Sequence, residues 1–357
     1  MVAVLGLDIG GANTKAAFVR TEKRAVKEVK ATSEYFPVWK NPERLGDVLS
    51  DVAKKVSGSE KLAAVGVTMT AELSDAYETK REGVYEILFQ VARGFERTAV
   101  FVLDVDVGLR TLEEARMEPL KVAAANWAGT GWLVSRLVKN CIVVDVGSTS
   151  TSIIPVVDGA VSAAGKTDLE KLINGELVYT GGLRTNVAAI VNFVPVKSDI
   201  SRVSSELFAT SSDVHLILGN ITGEEFTVET ADGKGKTRAD ALARLARVVC
   251  ADVEMLREQE IVQIAKYIYD RQISQMADGL RQVYERVEQG AKGEISAVVT
   301  GFGKNFLARK AAEKVGFTKI IDFDDLVLGN VSRVSTAVGV ACMVANNIEG
   351  EITQWKP

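Results

Sequence analysis

The chain has no apolar run of the roughly 18 residues that a membrane-spanning helix needs, which excludes a helical membrane protein. No basic segment precedes its first apolar stretch, and the expected location is the cytoplasm. Long runs of lysine or arginine are missing too, and the net charge is −4, which argues against a nucleic-acid partner or an anionic membrane surface. Cysteine is scarce: Cys141, Cys250 and Cys342 are far apart in apolar sequence and read as reduced core residues, not as disulfides or metal ligands. No low-complexity stretch or flexible linker interrupts the chain, so any division into units has to be read from a pattern that starts again.

What is present is the composition of a folded protein, with 47% hydrophobic and 25% charged residues. That much apolar surface can offset chain entropy. At 357 residues the chain favours two units, since domains run to about 150 residues each. Val2–Asp8 is a buried strand, Gly10 and Gly11 turn it, and the chain returns through Thr14–Val19 to a third strand over Ala25–Ala31. PERLGDVLSDVAKKV then has helical apolar spacing, KLAAVGVTMT reads as a strand, EGVYEILFQVARGF as a helix and RTAVFVLD as a strand. The pattern restarts near Asn140 with CIVVDVG, a hairpin return in STSTSIIPVVDG and a further strand in VSAAGK. Leu169 to Asp252 is irregular. A long helix follows, with Ile261, Ile264, Ile268, Met276, Leu280 and Val283 on one stripe. EISAVVTGFG is a strand running into a glycine turn, Asn305–Val315 a helix, Thr318–Asp322 a strand and SRVSTAVGVACMVANN a last helix. The expected class is α/β, with lobes at 1–138 and 139–334 and the segment 335–357 packing back on the first.

Two strands end alike, in Asp8-Ile-Gly10-Gly11 and in Asp145-Val-Gly147-Ser148. An acid at a strand end can hold Mg²⁺ through water, and glycine lets backbone amides approach phosphate oxygens. Asn13 and Thr14 in one turn, and Ser148, Thr149 and Ser150 in the other, add donors, and Lys15 adds a positive charge. Asp106-Val107-Gly108 has the same dipeptide pattern and reads as a loop after a strand. Gly301 and Gly303 lie between a strand and a helix, where the chain can pass close to a nucleotide or another flat ligand. Other glycine motifs fail on spacing. GKGKT at 233–237 has Thr230 where a P-loop needs glycine, and GFGKNF has Phe306 where a dinucleotide fingerprint needs its third.

In this order, the two hairpins, the glycine turn and the final small-residue helix resemble the acetate/sugar kinase, heat-shock chaperone and actin superfamily. That resemblance implies two ribonuclease-H-like lobes facing a central cleft, the actin-like ATPase fold. The segments YTGGLRTNVAAIVNFVPV, ELFATSSDVHLILGNI and TADGKGKTRADALARLARVVCAD, with LDIGGANTKAA and AAANWAGTGWLVS, resemble the hydantoinase/oxoprolinase-like proteins of the tetrahydromethanopterin-linked one-carbon pathway in archaea. Asn186 stands where that family's pattern has proline.

The resemblance implies a transferase of methanofuran biosynthesis that joins an aminomethylfuran-methyl diphosphate to γ-glutamyltyramine, forming an aryl ether and releasing diphosphate. Asp8 and Asp145 would place Mg²⁺ on the diphosphate, and amides around Gly10, Gly11, Gly147 and Ser148 would bind its oxygens. Arg184 is the candidate clamp for a phosphate or carboxylate. His215, the sole histidine, sits among apolar residues, which favours a structural role over that of a base. Asp213 and Asp232 are acids near glycine turns, and Asn126 and Trp127 are candidates for the cleft wall. An ATP-dependent kinase or amidohydrolase is the alternative, so ATP is left open as a ligand, as is a homo-oligomer. The expected partners are a phosphorylated small molecule and a phenolic amine.

Overall fold

Two sheets that share a central order, a hairpin pair followed by two parallel strands, carry the chain in a computed structural model that describes residues 1–356. The first contains β1 (Val2–Ile9), β2 (Asn13–Glu22), β3 (Ala25–Tyr35), β4 (Ala64–Met69), β5 (Ala99–Leu103) and β6 (Leu109–Thr111), in the order β3-β2-β1-β4-β5-β6. The second contains β7 (Cys141–Val146), β8 (Thr151–Val157), β9 (Ala160–Val161), β10 (Leu177–Val178), β13 (Ser296–Gly301) and β14 (Ile320–Asp322), in the order β10-β8-β7-β13-β14 with β9 against β8. A small hairpin of β11 (Phe193–Val196) and β12 (Asp199–Arg202) stands apart. In each sheet the central strand pairs antiparallel with its hairpin partner and parallel with a strand that returns much later. This is the repeated ribonuclease-H-like arrangement expected of the actin-like fold. β1 and β4 are buried on both faces, which is why they read as near-continuous apolar runs.

Three layers of helix cover these sheets. Leu45–Ser57 and Lys80–Gly94 lie on the outer face of the first sheet, where Leu49, Val52, Val84 and Ile87 share a core with Leu5, Leu7 and Val67. The long helix Glu258–Glu288 covers the outer face of the second sheet with Met276, Leu280 and Val283, and its earlier stripe residues Ile261, Ile264 and Ile268 pack on the inserted region. Between the sheets lie Asn126–Ser135 and Ser335–Glu349, in one core that takes side chains from both, including Val4 and Ala64 from one and Val143 and Val298 from the other. Small residues make this middle layer thin. A Cβ at Gly6 would fall 2.0 Å from the Ala337 carbonyl oxygen, and one at Gly339 would fall 2.2 Å from that of Gly129.

Several sequence expectations change. Of VSAAGK only Val161 is in a strand, the short β9, because the chain then turns to give the Ala164 and Gly165 amides to Glu176. Cys141 and Cys342 are buried, but Cys250 is exposed, in a left-handed turn with φ 57°. The helix expected from Asn305 opens one residue earlier with a π turn over Lys304–Ala308. Asn126–Ser135 is a helix without an amphipathic stripe, since Trp127–Ser135 is buried throughout; a helix hydrophobic all round gives no periodic signal. Within the irregular stretch, Ser211–Ile217 and Arg238–Arg247 are helices tied by a fully buried Arg244, which donates to Asp213 at 2.7 Å and Asp232 at 3.1 Å. Pro357, the last residue of the expected C-terminal segment, lies outside the described residues.

The thin middle layer has a direct consequence. Gly339→Leu should cost roughly 1–3 kcal/mol or more through overpacking, read as a lowered Tm; an unchanged Tm would contradict the close helix contact.

Candidate functional site

The two Asp-x-Gly turns line one cavity of about 350 Å³ between the lobes. They are built alike. Gly10 donates its N–H to the Asn13 carbonyl at 3.0 Å, and Gly147 donates to Ser150 at 2.9 Å, so each turn closes three residues on. Asp8 faces Lys15 across β2 and Thr68 across β4; Asp145 faces Ser152 across β8 and Thr300 across β13. The same register in both sheets brings two carboxylates to the same cleft.

Their surroundings differ. Asp8 is 3% exposed; Lys15 Nζ donates to its Oδ2 at 3.1 Å, while Oδ1 is buried without a hydrogen-bond partner among the described residues. Asp145 Oδ2 accepts from Ser335 Oγ at 3.1 Å, with Thr130 Oγ1 at 3.5 Å, so the two middle-layer helices hold it. Burial raises the Asp145 pKa above the usual carboxylate range, and the Lys15 charge offsets part of that rise. For Lys15 itself, burial works against the ammonium, but attraction from Asp8 and Asp145 outweighs it and the pKa is raised.

Most of the residues expected at the site line this cavity: Asp8, Gly10, Gly11, Asn13, Lys15, Asp145, Gly147, Ser148, Thr149, Ser150, Arg184, Asn126 and Trp127. Thr14 does not. Its side chain alternates to the opposite face of β2 from Asn13 and Lys15 and is fully buried there. Nor do the amides of Gly10 and Gly147 face outward, since both are used to close the turns; the amides of Gly11, Ala12, Ser148 and Thr149 take no partner among the described residues.

Gly301 and Gly303 also lie outside the lining. Gly301 has φ 87°, and a Cβ there would fall 2.5 Å from Asp145 Oδ1 and 2.4 Å from the Val146 carbonyl oxygen. One at Gly303 would fall 2.5 Å from Val146 Cγ1. These glycines make room for the Asp145 strand end. His215 lies elsewhere, fully buried, with Nε2 3.0 Å from Gln272 Oε1 and Nδ1 3.2 Å from Asn220 Nδ2. Burial pushes its pKa down to about 3, so it is neutral and structural. Asp213 and Asp232 are bound to Arg244, and Asp106 closes a loop with Asp104 and Gly108.

A strap positions Arg184. In YTGGLRT, Gly182 donates to the Gly147 carbonyl at 2.9 Å, and Leu183 and Arg184 donate to that of Ser148 at 2.9 and 3.0 Å. A Cβ at Gly181 would fall 2.6 Å from the backbone of Thr149. The strap therefore lies flat on the second turn. The Arg184 guanidinium then rests 5.1 Å from the Trp39 ring centroid across the cleft and has no carboxylate partner among the described residues. Asn186 keeps φ at −61°, a value proline shares, and caps the next helix by accepting from the Ala188 amide at 3.0 Å.

Among the described residues no group of three or more His, Cys, Asp or Glu side chains is disposed to hold a metal alone. Mg²⁺ binds through one or two carboxylates and completes its shell with water and phosphate. The unpartnered Asp8 Oδ1 is the free donor such an ion would use. Lys171, Asp168, Tyr179, Trp39 and Thr336 also line the cavity and carried no signal of their own in the sequence.

A family model described as hydantoinase/oxoprolinase matches residues 63–345. A Methanocaldococcus jannaschii protein named (4-{4-[2-(γ-L-glutamylamino)ethyl]phenoxymethyl}furan-2-yl)methanamine synthase is 38% identical over 98% of this chain and 99% of its own. The Methanococcus vannielii protein of that name is 34% identical over 60% of this chain and 96% of its own. Among solved structures, nucleotide-free acetone carboxylase aligns with a TM-score of 0.55 at 10% identity, over 95% of this chain and 70% of that one, and shows the fold alone.

Because Lys15 offsets the burial of Asp145, Lys15→Met should raise the Asp145 pKa further. Any step that needs the Asp145 carboxylate is gained as pH rises through that pKa, so the acid limb of kcat/KM should move to higher pH in the variant. A limb that stays in place would contradict the coupling.

Proposed function

The chain belongs to the hydantoinase/oxoprolinase family, and from that premise we propose that it is an ether-forming transferase of methanofuran biosynthesis. It condenses an aminomethylfuran-methyl diphosphate with γ-glutamyltyramine and releases diphosphate. The near full-length, 38% identity to a synthase named for that ether product carries the reading.

The cavity suits the chemistry. Amides of Gly11, Ala12, Ser148 and Thr149 receive diphosphate oxygens from two sides, and Arg184 closes on them from the strap. Donors fixed in advance favour the leaving group as its charge grows. Asp8 and Asp145 are the residues that would hold Mg²⁺, which when bound neutralises charge on the departing diphosphate. The Lys15 charge favours the Asp145 carboxylate and offsets part of the effect of its burial. Trp39, Trp127 and Tyr179 supply aromatic walls for the furan and phenol rings. The furfuryl carbon tolerates positive charge, so loss of diphosphate can run ahead of phenol attack, and the phenol must then surrender its proton. The partners are small molecules, and among the described residues no helix is long and apolar enough to cross a membrane.

Nothing in this reaction consumes ATP, which separates it from an ATP-dependent kinase or amidohydrolase. Mass spectrometry of the protein with Mg²⁺ and both substrates should give the ether and diphosphate at the same rate with and without ATP. A phosphorylated substrate, or turnover only with ATP, would contradict it.

A further inference from the structure

Lys171 is 2% exposed yet lines the central cavity, from the short helix Asp168–Ile173 that Thr167 caps. Its Nζ lies 3.6 Å from the Trp127 ring centroid and 3.2 Å from Glu176 Oε2. A buried lysine with one carboxylate beside it would ordinarily be a fixed ion pair, hard to deprotonate without leaving a bare buried anion. Glu176 is different.

Its carboxylate already accepts from the Ala164 amide at 2.7 Å and the Gly165 amide at 3.0 Å, and the Arg286 guanidinium pairs with it from the long helix. Gly165 is needed for this turn, since a Cβ there would fall 2.7 Å from the Lys171 amide nitrogen. If Lys171 loses its proton, Glu176 keeps three donors and a full positive charge. The charged groups facing Lys171 are Glu176, Asp168 and Lys166, with Arg286 reached through Glu176 and Lys80 through Asp168 at 2.6 Å. Burial outweighs the attraction of the acids and lowers the Lys171 pKa to about 8. A neutral amine is thus populated near neutral pH, in a position that the leaving-group machinery does not use.

Resting on the ether-forming reading, we propose that Lys171 is the base that takes the phenol proton. The phenol O–H proton passes to the neutral Lys171 Nζ, giving an ammonium over the Trp127 face. The phenol oxygen lone pair forms the bond to the furan methylene carbon, whose bond to the diphosphate oxygen breaks with its electron pair leaving on diphosphate. Release of the ammonium proton to water resets the residue.

Lys171→Met and Lys171→Arg are the test variants; arginine keeps the Glu176 pair but does not accept a proton. Both should lose roughly 10²–10⁴-fold in ether formation while binding inorganic diphosphate with Mg²⁺ as the parent does. With a ring-difluorinated γ-glutamyltyramine, whose phenol is more acidic, the variants should recover much of that loss while the parent changes little. An equal loss with both phenols, a matching loss of diphosphate affinity, or no loss in either variant would overturn the assignment. Failure of the parent protein to form any ether would instead sink the reaction on which it rests, whatever the variants do.

Discussion

The site depends on how closely the Asn126–Ser135 and Ser335–Glu349 helices approach the sheets and each other. Where Gly6 meets Ala337 and Gly129 meets Gly339, backbone packs on backbone with no room for a side chain. Contacts across such a close approach are each weak but many, and they fall off steeply with any gap, so the spacing of the layers is fixed. The same helices carry the hydroxyls of Thr130, Ser335 and Thr336; Thr130 bonds to the other two, and Thr130 and Ser335 reach Asp145. Packing between the lobes and placement of a carboxylate at their junction are one arrangement.

The repeat of the two hairpins then determines what the cleft can do. Each sheet ends its central strand in an acid, and each turn leaves amides free beyond it. On the proposed reading, the two ends face the two phosphoryl groups of one ligand. The asymmetry lies in what supports them: Lys15 and an unpartnered oxygen at Asp8, and a hydroxyl cluster at Asp145. One acid is thereby tied to a cation and the other to the interlobe packing.

Strand-and-turn features were legible in the sequence because they are local. A buried strand, its Asp-x-Gly end and its hairpin return lie within about twenty consecutive residues, and turn chemistry has residue signatures. Gly301 was visible as a glycine turn, but only the fold shows that it clears space for Asp145. Thr14 was misplaced because a spacing pattern does not say which face of β2 a turn residue ends on. Lys171 and the Asn126–Ser135 helix were illegible for another reason. Their surroundings draw on segments far apart in the chain, as when Arg286 reaches Glu176 and Lys171 lies over Trp127. The irregular stretch was unreadable likewise, being organised around Arg244 and its distant acids instead of a repeating apolar period.

The central claim is that the two turns hold one Mg²⁺-diphosphate between them. Calorimetric titration of inorganic diphosphate into the protein, with and without Mg²⁺, and into Asp8→Asn and Asp145→Asn, tests it most directly. The account predicts binding that requires Mg²⁺ and weakens by about tenfold or more in each variant, equivalent to at least about 1.4 kcal/mol, with Tm preserved. Equal affinity without Mg²⁺, or unchanged affinity in both variants, would contradict it.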